Sequence, residues 1–274
     1  MLQASSWLPR TEGSVRLGLI CGGGGRTRID VLHQSGAGRA RFPKTAKGDP
    51  CEAVLLNTAG GLTGGDKLEI AVALGAGASA VVTTAAAEKI YRSQQGKAAV
   101  AVALSLAGNS RLAWLPQPTI VFDRAQLERR MLIELSAEAH FLAVEMLIFG
   151  RAAMGESVRR GSLRDAWRLR RDGVLLFADS FQLEGEIAEA LGRPAVLGTA
   201  RATGLVLYAA PQAAARLPEA RGLLENAEGL VGVSAGNDLL VARAAAPDGR
   251  TLQGDLTRLI EGLHGRPLPR IWKC

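Results

Sequence analysis

A mainly β, extended and mostly antiparallel architecture is what this 274-residue sequence predicts. Two observations carry that reading. Apolar residues alternate with a period of two, and turn signals recur about every ten residues. Alternation sets one face of a strand on a core and the other toward solvent or a second layer. No Ser/Pro-rich linker or repeat divides the chain, so one domain over residues 1–274 is expected.

The first clear strand is Leu68, Ile70, Val72, Leu74, followed by the turn signal Gly75-Ala76-Gly77. The uncharged run Ile70 to Ala87 is long enough to raise a membrane helix. Its Val and Thr residues favour strands, and a β-hairpin is expected there. Val100, Val102, Leu104 and Leu106 form the next strand, closed by Gly108-Asn109-Ser110. Met131, Ile133 and Leu135 repeat the pattern, with Arg130 and Glu134 on the opposite face. Asp172-Gly173 between Trp167–Arg171 and Val174–Phe177 is a hairpin signature, and Gly236-Asn237 marks a later turn. Helices are expected in two places only. Pro211–Ala227 is Ala- and Leu-rich, with Pro218 breaking or starting a helix. Thr251–His264 places Leu252, Leu256, Leu259, Ile260 and Leu263 on one face, and Pro267 and Pro269 stop it.

The chain is 47% hydrophobic but only 4% aromatic, so Ala, Leu and Val must fill its core. Its formal charge is +7, and its basic residues are overwhelmingly Arg. An acidic partner is one reading of that charge; an Arg-favouring, GC-rich coding sequence is another. Cys21, Cys51 and Cys274 are odd in number and widely spaced, which argues against a disulfide framework and for a reducing, cytoplasmic setting. Met1–Arg10 lacks the apolar segment of a signal peptide.

Chemical motifs are few. Gly60-Gly61-Leu62-Thr63-Gly64-Gly65-Asp66-Lys67 is superficially similar to a phosphate-binding loop, but Asp66 stands where that loop needs Lys. Gly22–Gly25 leads into a strand and is no dinucleotide fingerprint. His33, His140 and His264 are isolated, so no tight soft-ligand metal site is expected. No activated Ser or Cys is recognisable, and no enzymatic activity is assigned. Glu145 stands alone in the apolar run Phe141–Phe149. A buried lone charge must be paired, hydrated or protonated. It is either half of an ion pair with an Arg such as Arg151 or a polar station in a water-filled passage. Arg159, Arg160, Arg164, Arg168, Arg170 and Arg171 form the densest basic feature. With Trp167 on the opposite face, a solvated or protein-docking surface fits better than nucleic acid. The rival reading is an Arg-rich nucleic-acid-binding β module.

Longer strings say more. Leu56–Asp66 (LNTAGGLTGGD), Thr83–Ser93 (TTAAAEKIYRS), Trp114–Phe122 (WLPQPTIVF), Phe149–Glu156 (FGRAAMGE) and Gly265–Trp272 (GRPLPRIW) occur in order across the chain. Together they closely resemble the urease accessory proteins of the UreD (UreH) family. Gly60, Gly61, Gly64, Gly65, Asp66, Thr83, Thr84, Tyr91, Arg92, Gly150, Arg151 and Gly155 carry the match. Ala85 departs from the usual Gln or Pro, and the first fifty residues match least.

The resemblance implies a superhelical stack of strands with a few helices. It also implies a non-enzymatic urease maturation factor with no membrane or nucleic-acid partner. Such a factor binds urease apoprotein and a UreF-type protein, which recruits a UreG-type GTPase, and Ni²⁺ passes through in transit with no tightly bound cofactor. Spaced carboxylates suit a conduit better than a Cys/His trap. Glu145 and Glu156 are therefore expected to line or orient a nickel passage. Arg168, Arg170 and the helical residues Leu256 and Ile260 are expected to dock partners.

Overall fold

The computed structural model describes residues 10–46, 48–151 and 154–273; Cys274 and most of Met1–Arg10 lie outside them. Strands follow as β1 (Glu12–Cys21), β2 (Thr27–Gly36), β3 (Gly38–Arg41), β4 (Cys51–Asn57), β5 (Lys67–Leu74) and β6 (Ser79–Thr84). Next come β7 (Glu88–Ile90), β8 (Ala98–Leu106), β9 (Arg111–Leu115), β10 (Thr119–Val121), β11 (Gln126–Leu135) and β12 (His140–Phe149). The chain continues through β13 (Arg160–Arg171), β14 (Val174–Glu186), α1 (Ile187–Gly192) and β15 (Ala202–Ala209). It ends with α2 (Leu217–Leu223), β16 (Leu230–Gly236), β17 (Leu239–Ala246) and α3 (Gly249–His264).

From β4 onward the chain crosses between two sheets at nearly every turn. Sheet A has the order β14-β13-β11-β8-β5-β1-β2, and sheet B runs β16-β17-β15-β12-β9-β6-β4-β3. Each pass lies beside the previous pass in its own sheet, so the mainly β, superhelical stack is as expected. Strand direction is not. The stack β1-β5-β8-β11-β13 is parallel, as is β4-β6-β9-β12. Antiparallel pairs are confined to the ends and to sheet B beyond β12. Period-two alternation reports burial and not direction, and a connection that detours through the opposite sheet returns in the same sense. For the same reason Ile70–Ala87 is no hairpin: β5 and β6 belong to different sheets. The hairpin at Asp172-Gly173 forms as its sequence predicts, with φ of 49° and 76°.

The main core lies between the sheets, with Leu17, Val72, Leu104, Ile133, Phe141 and Trp167 among its residues. A second core separates sheet B from α3 and the C-terminal Trp272. Sheet B is thus covered on both faces around β12, which reads as an almost unbroken apolar run. Sheet A has one solvated face, and β5, β8 and β11 alternate accordingly.

Helix α3 is capped by Asp248, whose Oδ1 accepts from Thr251 N at 2.8 Å, and it ends at left-handed Gly265. Pro218 starts α2. The short α1 was not expected. The apolar stripe of α3 packs on sheet B, with Leu256 and Ile260 fully buried. These two side chains belong to the protein's own core and present nothing to a partner, which corrects their assignment as docking residues. Among the described residues, no helix is long and apolar enough to cross a membrane. Cys21 and Cys51 are free thiols.

Candidate functional site

Strand parity decides which charges enter the sandwich. On β11, Leu127, Met131 and Ile133 face the core, and Arg129 shares their parity. On β13, Asp165 sits in phase with Leu163, Trp167 and Leu169; on β12, Glu145 sits in phase with Phe141, Ala143 and Leu147. Three charged side chains therefore meet between the sheets, and all three are buried.

Arg129 and Asp165 are direct neighbours in the β11–β13 ladder. The guanidinium donates to both Asp165 oxygens, from Nε at 3.0 Å and Nη2 at 2.9 Å, in a bidentate pair. Nη2 also contacts Glu145 Oε1, and Nη1 donates to Thr119 Oγ1 at 3.1 Å. Trp167 Nε1 donates to Glu145 Oε2 at 3.0 Å and to Asp165 Oδ2 at 3.3 Å. The partner of Glu145 is thus Arg129. Arg151 instead binds Glu156, Nε to Oε2 at 2.6 Å, because both lie in the segment after β12.

Two carboxylates share one cation here, so only one can ionise without leaving net charge in a dry site. Burial raises the Glu145 carboxyl well above its ordinary value against the pull of Arg129, and neighbouring Asp165 pushes it further. Burial also opposes ionisation of Asp165, but Arg129 and its hydrogen bonds hold that group below the usual range. Burial works against the Arg129 charge too; Asp165 and Glu145 overcome it and hold the guanidinium protonated. The arrangement is an Arg–Asp ion pair beside a Glu whose neutral form burial favours.

Cavities adjoin this cluster. One of about 70 Å³ is lined by Arg129, Glu145, Glu88, Thr84 and Thr119. A second, about 120 Å³, continues past Glu145 to Asp165, Asp179, Ser180 and Arg243. A third, about 160 Å³, shares Glu88 and Thr84 with the first and reaches Asn57, Thr58 and Gly60. Each exceeds the roughly 10–15 Å³ that a water molecule needs. Burial raises Glu88 as well, although Asn57 Nδ2 donates to its carboxylate at 3.2 Å. Polar oxygens thus recur along the line from Gly60 past Glu88 and Glu145 to Asp179.

The resemblance-bearing segments converge around one end of that line. In the loop after β4, Asp66 is buried and accepts from Thr63 N and Thr11 N, both at 2.8 Å. Gly64 packs on Ser93 and the carbonyls of Gln95 and Gly96, while Gly61 lies under the Tyr91 ring. The Tyr91 hydroxyl donates to Gly60 O at 3.3 Å, and Arg92 O accepts from Thr63 Oγ1 at 2.9 Å. Gly65 is left-handed in the same loop. Tyr91 meets Phe122 edge-on at 5.0 Å, and Arg151 stacks over that Phe122 at 4.5 Å. Gly150, just before Arg151, and Gly155, just before Glu156, both have left-handed backbones. Trp272 Nε1 donates to Thr83 Oγ1 at 3.2 Å and to Leu115 O at 3.1 Å, and Thr84 Oγ1 accepts from Gln117 N at 2.8 Å.

Among the described residues, Glu156 lines none of the three cavities, and its carboxylate meets Asp123 N and Arg151. Arg168 is exposed on the solvent face of sheet A; Arg170 is half-buried there and pairs with Glu134 at 3.3 Å. Arg129, Asp165, Asp179 and Arg243 were not expected from sequence. The signal for the first two was present, since each is a charge in phase with its strand's apolar residues.

A family model for the UreD urease accessory protein matches residues 11–273. A urease accessory protein UreD from Methylobacterium sp. is 47% identical over 269 residues, 96% of this chain and 95% of that protein. The UreD of Xanthobacter autotrophicus is 49% identical over 263 residues, 96% and 90% respectively. That of Rhizobium etli is 47% identical over 249 residues, 90% of each.

Proposed function

The chain belongs to the UreD family of urease accessory proteins, which gives it a role in urease maturation, and from there we propose that it carries Ni²⁺ through its strand sandwich to the urease apoprotein. The observation that supports this reading is the line of adjoining cavities between the sheets, with Glu88, Glu145 and Asp179 spaced along it. A hard or borderline cation in transit needs successive oxygen ligands, none strong enough to retain it. Glu145 suits that task because burial favours its neutral form, while a cation passing beside it favours the carboxylate. Glu156 orients the end of the route by holding Arg151 over Phe122.

In this reading the protein is no enzyme. It works in the cytoplasm with a UreF-type partner, through which a UreG-type GTPase supplies the metal. Arg168 and Arg170 on the open face of sheet A offer acidic partners a docking surface. Trp167 is buried and cannot stack on bases, which favours a protein partner over nucleic acid there.

The test is urease activation in cells that co-express the accessory proteins. Glu145→Gln should lower the nickel content of purified urease while the accessory complex still co-purifies. Unchanged nickel content would sink the reading.

A further inference from the structure

A cleft of about 280 Å³ lies away from the inter-sheet cavities, where the C-terminal end of α3 meets the beginnings of β6, β9 and β12. Its floor follows from ladder register. Ser79 pairs with Arg111, and Arg111 with His140, across three parallel strands. These residues stand side by side at steps of about 4.8 Å. They share parity with Val81, Ala113 and Leu142, which pack toward α3, so the row faces the helix side of sheet B. The opposite wall carries His264, the last residue of α3, and Arg266.

Among the described residues no Asp or Glu lines this cleft. The acid beside it, Asp49, is engaged by Arg266 Nη1 at 2.6 Å. Arg111 makes no ion pair among the described residues, and His264 Nδ1 is buried without a hydrogen-bond partner. An Arg without an ion pair, set with two imidazoles around a cleft that holds no acid, suits an anionic ligand. A cation is a poor occupant because no carboxylate lines the cleft to offset the Arg111 guanidinium beside His140. The volume exceeds that of a bare ion and approaches the smaller small-molecule sites.

We propose that this cleft binds a phosphate group, free or carried by a small molecule, with phosphoryl oxygens held by Arg111 and by hydrogen bonds from His140, His264 and Ser79. Burial, then the charges of Arg111 and Arg171, keep the His140 imidazole below its ordinary pKa against the weaker pull of Glu138. Burial does the same at His264, where the Arg266 charge adds to it and a backbone contact with Arg266 opposes it. A bound phosphate dianion opposes that repulsion and favours both imidazolium forms.

Inorganic phosphate and glycerol phosphate, titrated separately into the full chain by calorimetry and by NMR of the histidine ring protons, test this. The expected result is saturable binding with upward movement of the His140 and His264 titration midpoints, while His33 is unmoved. Arg111→Gln should weaken binding at least tenfold, and Arg164→Gln, on the outer face of sheet A, should leave it unchanged. Equal affinity for the two probes identifies the free ion as ligand; tighter glycerol phosphate identifies an organic phosphate. Absence of saturation at millimolar phosphate, equal losses in both variants, or saturable Ni²⁺ binding at His140 and His264 in place of phosphate would overturn the proposal.

Discussion

Trp167 Nε1 donates to Glu145 Oε2 at 3.0 Å, and that bond ties β13 of one sheet to β12 of the other. The indole also reaches Asp165, so one donor serves both carboxylates that compete for Arg129. The bond itself favours the charged form of both carboxylates; Asp165 has the bidentate guanidinium, while burial and the nearby Asp165 charge push Glu145 the other way.

The first prediction concerns pH. The Glu145 pKa is raised on folding above the unfolded value of about 4.3. The native state then binds a proton that the unfolded state has released. Stability therefore declines as pH rises from about 4.3 through the folded pKa. Asp165 has the opposite sign, and its contribution is lost as pH falls below about 3.9 toward its lowered folded value. Glu145→Gln should make the decline above pH ~4.3 shallower, leaving the part due to the raised Glu88, and keep the loss below it. Urea unfolding of both proteins across this range decides the matter; parallel slopes above pH ~5 would count against a protonated Glu145.

Removing the cation tests the cluster as a unit. Arg129→Met leaves Asp165 without its cation in the core, at a cost of about 3–5 kcal/mol. Replacing all three members by apolar residues of similar volume should recover most of that loss, since a buried ion pair is seldom better than good packing. Chemical denaturation of the single and triple variants measures both effects. In the proposed reading the triple variant still fails to load urease, which separates stability from transport.

Much of this was legible in sequence, and the misses have physical causes. Alternation located β5, β8 and β11 because sheet A has one wet face. It could not tell parallel from antiparallel, because Leu68–Leu74 alternates identically in either. Glu145 was conspicuous as a lone charge among apolar residues, but its partner was sought nearby at Arg151. The true partner, Arg129, lies on a strand of the other sheet. Its in-phase position beside Leu127 and Met131 was the available clue. Leu256 and Ile260 were visible as an apolar stripe, but no stripe states whether it meets its own sheet or another protein.

The glycine-rich loop gives a paired test. A Cβ on Gly64 would lie 2.0 Å from Ser93 Oγ and 2.4–2.5 Å from two carbonyl oxygens. A Cβ on Gly60 meets open space and bears only the left-handed backbone cost. Gly60→Ala should therefore cost about 1 kcal/mol. Gly64→Ala should cost about 1–3 kcal/mol as the loop lifts from Ser93–Gly96. Thermal melts rank the two; equal losses would mean that the close packing is not what stabilises this loop.

Helix α3 supplies the final contrast. Leu256 is fully buried between the helix and sheet B, and its Cδ1 fills the space that a side chain at Gly204 would need. Leu256→Ala should cost about 2–5 kcal/mol through lost burial and the cavity left behind. Gly254, two residues away on the exposed side, has open space around a new Cβ. Gly254→Ala should stabilise by about 0.5–1 kcal/mol, because alanine restricts the unfolded chain and favours the helix. If α3 instead served a partner and packed loosely on its own sheet, Leu256→Ala would leave the isolated chain's unfolding midpoint unchanged. It would weaken co-purification alone. The burial of Leu256 predicts a lowered midpoint before any partner is added.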